Sequence, residues 1–430
     1  MMDSQNSYSE QLESAYRKVF RRVMPLLLVA YITAYLDRVN VGFAKLQMLK
    51  DLGFTESIYG FGAGIFFLGY FIFGLPSNLM LHRVGARVWL AGIMIIWGII
   101  SGLMSLVRTP AGYYALRFLL GVAEAGFFPG IIFYLTRWYP DARRGKATAI
   151  FMTGIAICSV IGSILSGWIM QTFDGLYGWA GWQWVFPVEA VPAVLVGLWI
   201  FSALHDDIAS ASWLDAREKS LLTAELKRDF SPKPTGSFSE TFRDGRVWLA
   251  CLVYFCAMTG LYGIGFWLPT IIAEMGIKNP LNIGMLAAIP YAVAAVGMVL
   301  VARSADRHKE RRWHVAIPAA LGAVGLILSV LFVDDRVIAI AALAIATFGI
   351  LSAAPLFWSL PTAYLRGAAA AAGIAIINSC GNLAGFLSPY IVGWTKDFTG
   401  STAAGMYYVA ASLFVGAVLV VAFMPAREIN

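Results

Sequence analysis

The stretch LLLVAYITAYLDRVNVGFA, residues 26–44, decides the fold class. Mostly apolar residues lead in, and then Asp37, Arg38 and Asn40 interrupt what reads as greasy helix. About 20 apolar residues cross a bilayer, and an acid beside a base within such a run needs a protein interior or a wet cavity around it. The rest of the chain agrees: 59% of its residues are hydrophobic, 13% are charged and the mean hydropathy is +0.71. Soluble domains hold about 45–50% apolar and about 25% charged residues. The chain therefore reads as an all-α integral membrane protein. Cys158, Cys251, Cys256 and Cys380 all fall in apolar runs without metal-ligand spacing, so they read as small buried packers rather than disulfides or a zinc site. The polar start ahead of the first long apolar run leaves no cleavable signal peptide visible.

Counting apolar runs places spans at 23–44, 57–80, 87–107, 112–136, 146–170 and 182–204, then at 247–273, 281–303, 314–333, 337–360, 368–394 and 402–424. That is twelve transmembrane helices in two sets of six. The Gly/Pro-rich fourth and tenth spans are expected to bend. With the N-terminus inside, 24 Lys and Arg fall on inner segments, Arg366 and Arg427 among them, and six on outer ones, Lys45, Lys50, Arg108, Lys278, Arg336 and Lys396. That asymmetry puts both termini in the cytoplasm. It also makes the net charge of +7 a matter of topology, with no nucleic-acid partner implied.

The chain then divides into a cytoplasmic N-terminal segment (1–22), a six-helix bundle (23–204), a cytoplasmic linker (205–244), a second bundle (245–425) and a tail (426–430). The linker run DAREKSLLTAELKRD predicts a short surface helix, ended by SPKPTGS. RRGKATA at 143–149 and LRGAAAA at 365–371 each precede the fifth helix of a half. Two pseudo-symmetric halves suggest a repeat-built transporter with its site between them near the midplane.

The stretches YLDRVNVGFA (35–44), FFLGYFIFGLPSNLML (66–81), RFLLGVAEAGFFPG (117–130), RWYPDARRGKA (137–147), YGIGFWLPTII (262–272), FWSLPTAYLRG (357–367) and INSCGNLAGFLSPYIVG (377–393) together resemble the major facilitator superfamily. Within it they look like the anion:cation symporter family, which includes bacterial tartrate, galactonate, phthalate and 4-hydroxyphenylacetate permeases and animal sialic acid and vesicular glutamate transporters. The wording of the tenth and eleventh helices looks most like the tartrate-type members. The chain departs from the family pattern after the second helix, where Asn78, His82, Arg83 and Gly85 form a degenerate copy of the loop motif. The second copy keeps Asp306 and Arg307 but has Lys309 for the usual Gly. Ile155 stands where galactonate-type members carry Gln, so the resemblance does not specify a sugar acid.

Among Lys, Arg, Asp and Glu, five lie clearly within spans: Asp37, Arg38, Arg117, Glu124 and Glu189. Asp37 and Arg38 are neighbours, about 100° apart on a helix, so each must find a different partner. Arg117 and Glu124 are seven apart and share a face. Arginine keeps its charge when desolvated and offers a fork to a carboxylate. The resemblance implies that Arg38 and Arg117 bind or gate an anion and that Asp37 and Glu124 couple protons. It also implies substrate contacts at Tyr70 and Asn382, with Asn378 sharing the face of Asn382. Ser359 beside Pro361, and Tyr262, read either as site residues or as packing. Asp306, Arg307, Arg83, Arg143 and Arg144 read as a cytoplasmic lock. Glu189, taken as near the outer end of the sixth helix, reads as structural, and Trp179, Trp182 and Trp184 as an interfacial belt.

No HExxH, GxSxG or GxxxxGK[ST] sequence occurs, which argues against a hydrolase or an ATP-driven pump. The expected function is import of a small organic anion with protons, by a monomer in the lipid bilayer of a bacterial inner membrane. No cofactor, metal, catalytic residue or nucleic-acid partner is expected. Sodium-coupled or uncoupled anion transport is the alternative.

Overall fold

The computed structural model describes residues 2–152, 154–229, 238–364 and 367–424. Arg366, Arg427 and the tail 426–430 lie outside them. Among the described residues, eleven helices are long and apolar enough to cross a bilayer, and Ile157–Thr172 is a shorter apolar one.

The first helix, α1 (Met2–Leu52), runs well past both ends of the expected span. Leu12, Ala15, Tyr16, Val19 and Val23 recur at three- and four-residue spacing and are buried, which gives the polar beginning of α1 an apolar stripe to pack. α2 (Glu56–Val84) starts where the Thr55 side chain accepts from the Ile58 N–H. α3 (Ala86–Leu103) follows Gly85, whose φ of 91° admits the tight turn between them.

The fourth span is two helices, α4 (Pro110–Glu124) and α5 (Phe127–Thr136), separated at Ala125–Gly126. Pro129 lies four residues beyond Ala125, so its ring has no N–H for that carbonyl and presses against it. The fifth span comprises α6 (Asp141–Met152) and α7 (Gly154–Thr172), with Thr153 outside the described residues. α8 (Gly181–Ala203) completes the first set of six spans. The linker carries α9 (Ala216–Asp229), over the run expected to be helical, and α10 (Phe238–Arg243).

The second set comprises α11 (Gly245–Glu274), α12 (Pro280–His308), α13 (Arg312–Leu331), α14 (Arg336–Phe357), α15 (Ser359–Tyr364), α16 (Gly367–Thr399) and α17 (Ala403–Phe423). The tenth span breaks at Trp358, three residues before Pro361, by the same loss of an N–H. Both expected bends are therefore present.

The two halves meet along α2–α16, α7–α12 and α1–α11. Small residues let these helices come close. A Cβ at Gly60 would strike the Pro389 carbonyl, one at Gly64 the Phe386 carbonyl, and one at Gly284 the Ser163 carbonyl. Tyr59 Oη donates to the Phe266 carbonyl at 2.9 Å across the same seam. Every one of these contacts lies near the ends of α1, α7, α11 and α16 and the starts of α2 and α12, on the face opposite the chain termini. On the terminal face, the ion pairs Lys18–Glu218 at 2.9 Å and Asp306–Arg311 at 2.7 Å run to the linker or stay within one half. The bundle is closed at its far face.

Candidate functional site

Asp37 and Arg38 find different partners, as adjacency on a helix requires. Asp37 is 1% exposed and faces α3. There the Trp97 indole N–H donates to it at 3.1 Å and Ser101 Oγ at 2.9 Å. Trp97 and Ser101 are four apart, one turn of the same helix face. Arg38 turns the other way and forms an ion pair with Glu124, the last residue of α4 before the break. Its guanidinium carbon lies 5.2 Å from the Phe66 ring centre, 5.6 Å from that of Tyr70 and 5.7 Å from that of Tyr35. Aromatic faces attract a cation electrostatically, so this cage holds the arginine where its counter-ion is a single carboxylate. Arg38 Nε and Glu124 Oε1 have no hydrogen-bond partner, so the pair leaves one donor and one acceptor open.

Arg117 also lies over Phe66, at 5.1 Å. It is buried and donates to the carbonyls of Gly62 at 3.2 Å and Ala63 at 3.3 Å on α2. α2 and α4 meet through small residues, Gly121 against the Phe66 carbonyl and Gly69 against the Phe118 carbonyl. The sharing of one face by Arg117 and Glu124 therefore holds, but Arg117 reaches backbone and Glu124 reaches Arg38.

In the second half, Tyr262 meets Phe67 of α2 with ring centres 4.3 Å apart and lies within electrostatic reach of Arg38 and Tyr70. The structure thus brings Arg38, Glu124, Tyr70 and Tyr262 together. Asn382 is half-buried and sits between Gly381, which packs on Tyr254, and Gly385, which packs on Phe67. Asn378, one turn away, is exposed. Ser359 Oγ donates to the Leu356 carbonyl at 2.6 Å, at the helix break. None of these three touches the Arg38 group.

Two of the residues read as a lock, Arg143 and Asp306, pair within their own halves. Arg143 pairs with Glu13 and lies 4.4 Å over the Tyr16 ring. Asp306 pairs with Arg311 at 2.7 Å. Arg83 and Arg307 are exposed and make no ion pair among the described residues, and Arg144 is half-buried.

A charge network that crosses between the halves lies instead at the far face. Lys45 is 3% exposed inside α1, a correction to its reading as an outer-loop cation. Its Nζ approaches Glu56 Oε2 at 2.7 Å, a charge contact off the line of a hydrogen bond. The same nitrogen donates to Thr270 Oγ1 at 3.0 Å and lies 3.5 Å from the Trp267 ring centre. Lys396 joins Glu56 at 2.8 Å to Glu274 at 3.0 Å. Asp397 accepts the first N–H groups of α2, from Glu56 at 2.9 Å and Ser57 at 2.7 Å, the favoured place for an anion. The sequence held one signal for this: Lys45 follows Arg38 by seven residues, on the same helix face.

Glu189, read as structural, lies two turns into the sixth span. It is fully buried within α8, where Ser166 Oγ donates to it at 2.6 Å. Trp182 is buried as well and donates to Asp51 at 2.8 Å, so it is no belt residue, whereas Trp179 and Trp184 are half-buried and pack with ring centres 5.3 Å apart, tilted by 43°.

Residues 27–389 match the family model of the Major Facilitator Superfamily. The chain is 48% identical over 405 residues to a "Putative tartrate transporter" of Agrobacterium vitis, covering 94% of this chain and 93% of that one. It is 45% identical over 422 residues to "Putative metabolite transport protein NicT" of Pseudomonas putida, covering 97% and 96%. It is 41% identical over 406 residues to a "Quinolone resistance transporter" of Acinetobacter baumannii, covering 94% and 93%. Among solved structures, the D-xylose-proton symporter superposes with a TM-score of 0.74 at 16% identity, over 94% of this chain and 98% of that one. The chain belongs to the Major Facilitator Superfamily, and it is a multi-pass membrane transporter rather than an enzyme.

Proposed function

We propose that the protein imports a small organic anion together with protons by alternating access. The anion is a carboxylate such as tartrate, a sugar acid or an aromatic acid. The observation that carries this reading is the buried Arg38–Glu124 pair in its aromatic cage. A proton arriving on Glu124 removes the one carboxylate that pairs with Arg38 among the described residues. The freed guanidinium then offers its fork to an incoming carboxylate, the geometry arginine pairs with best. Arg117, on the same Phe66 ring, supplies a second fixed positive charge. Asp37, held between Trp97 and Ser101, is the second coupling acid. Tyr70, Tyr262, Ser359, Asn378 and Asn382 contact the remainder of the substrate.

In this reading residues 23–204 and 245–425 are the two bundles that rock about the site, 205–244 is their cytoplasmic tether, and both termini face the cytoplasm of a bacterial cell. The state closed at the far face is then the one that releases the anion inward, with Glu124 deprotonated and back on Arg38. Arg83, Arg143, Arg144, Asp306 and Arg307 form the lock at the terminal face in the opposite state, with Arg143 and Asp306 exchanging their present in-half pairs for contacts across the halves. The names of the relatives support a small-molecule cargo. A quinolone, itself an aromatic carboxylic acid, falls within the proposed class.

The test is uptake into proteoliposomes under an imposed pH or sodium gradient, with tartrate, a sugar acid, an aromatic acid and a quinolone as cargo. Acid outside is expected to drive accumulation of at least one, and Glu124→Gln to abolish that drive while sparing exchange of labelled for unlabelled anion. Drive by sodium alone, or by neither gradient, overturns proton symport. Unchanged acid-driven uptake in Glu124→Gln removes that residue from coupling.

A further inference from the structure

A second group of buried polar atoms lies apart from the Arg38 cage. Glu189 is fully buried with one oxygen on Ser166, and its Oε2 has no partner. Asn40, 1% exposed on α1, approaches the same carboxyl without hydrogen-bond geometry, and both of its amide atoms are unpartnered. Unpaired polar atoms are rare in an interior because each forfeits a hydrogen bond. Here a carboxyl oxygen and an amide face one another, and no cation touches either among the described residues.

The neighbouring ionisable groups are Asp37, one turn earlier on α1, and the thiol of Cys158 on α7. Both add negative charge or none. An uncompensated carboxylate in such a place is strongly disfavoured, and a proton is the smallest cation that relieves it. On Oε2 it forms an O–H that donates to Asn40 once the amide turns its Oδ1 toward it, while Ser166 continues to donate to Oε1. All the unpartnered acceptors are then satisfied.

A row of hydroxyls runs from this pair away from the far face and into the seam between the halves. Ser159, Ser163 and Ser166 follow one another at four and three residues along α7, all buried. Ser159 and Ser163 line a small void in the seam between the halves, opposite Gly265, Leu268 and Pro269 of α11 and Ala287 and Tyr291 of α12. Gly167, the next residue after Ser166, packs on the Pro280 carbonyl of α12. When the far face opens, α7 must leave α12, and water then enters beside the serines. Their hydroxyls are donors and acceptors that can pass a proton along α7 to Glu189.

We propose that Glu189, with Asn40 and Ser166, is a further proton-carrying site, loaded through the seam between the halves along the α7 serines. The stoichiometric part of this rests on proton symport at the Arg38–Glu124 pair; the existence of the site does not. The first experiment is therefore infrared titration of the purified protein in detergent. The C=O band of a neutral carboxyl is expected in the wild type, lost in Glu189→Gln and shifted in frequency in Asn40→Ala, which keeps the acid and removes its acceptor. The second measures proton and labelled-anion uptake together in proteoliposomes. Glu189→Gln is expected to lower the protons moved per anion by one while anion exchange persists. A neutral-carboxyl band unchanged in both variants overturns the site and leaves Glu189 a packing residue. A band that behaves as expected, with wild-type protein that moves no protons, sustains the site and overturns only symport. An unaltered proton-to-anion ratio in Glu189→Gln removes the site from the transport cycle.

Discussion

Lys396 ties the two halves together at the closed face, so removing it should tip the conformational balance. Its bond to Glu56 at 2.8 Å crosses the seam, whereas its bond to Glu274 at 3.0 Å lies within one half and persists in either state. Only the first is lost when the far face opens. Glu56 keeps Lys45 in both states, because both belong to the same half. A hydrogen bond to a charged partner contributes about 1.5–3 kcal/mol. Lys396 and Glu56 are 15% and 20% exposed, so water screens the bond and the lower end applies. Lys396→Met should therefore raise the ratio of far-open to far-closed protein by roughly tenfold, the equivalent of about 1.4 kcal/mol. Spin labels at the exposed positions Lys50 and Lys278, one on each half, report this directly when the four native cysteines are replaced. Distance distributions should gain a longer component whose weight relative to the short one grows by that factor. Distributions that match those of the parent would show that apolar packing of α2 on α16, rather than the charge network, holds the face shut.

Two further outcomes follow from the packing around the site. Gly121→Leu places a side chain against the Phe66 carbonyl and the Tyr70 amide of α2, which forces α2 from α4 at about 1–3 kcal/mol; thermal unfolding in detergent should fall by several degrees, while Gly74→Ala, where nothing lies within 4 Å, should leave it unchanged. Trp97→Phe removes one of the two donors that hold Asp37, a loss of about 1.5–3 kcal/mol if the acid is charged and about 0.5–1.5 if it is neutral; its effect on the unfolding midpoint, compared between acid and neutral pH, reports which form Asp37 takes.

Most of the architecture was legible from composition and spacing. Long apolar runs have one stable fate in lipid, a helix that satisfies its own backbone, and prolines at 129 and 361 break helices by a mechanism local to the chain. Intramembrane charge pointed to Asp37, Arg38, Arg117 and Glu124 because such residues are expensive to insert. Adjacency on a helix also fixed in advance that Asp37 and Arg38 would part company. What spacing could not reveal was partnership across the bundle. Arg117 and Glu124 share a face, yet one reaches the α2 backbone and the other reaches Arg38.

Lys45 illustrates the limit most clearly. By position it closes a span and looks like an interfacial cation, the kind that orients a topology. Its burial comes from Trp267, Thr270 and Glu56, residues from 11 to 225 positions away that meet only when two bundles close on one face. The partners of Glu189 were out of reach for the same reason, since its setting is made by Asn40 and Ser166 on two other helices. The sequence by itself determined the medium, the helices, their bends and the charged residues that had to turn inward, because those follow from hydropathy and local geometry. Tertiary structure alone decided which charges face each other and which face of the transporter is shut, because a buried charge takes its energy from whatever distant groups the fold places within a few ångströms of it.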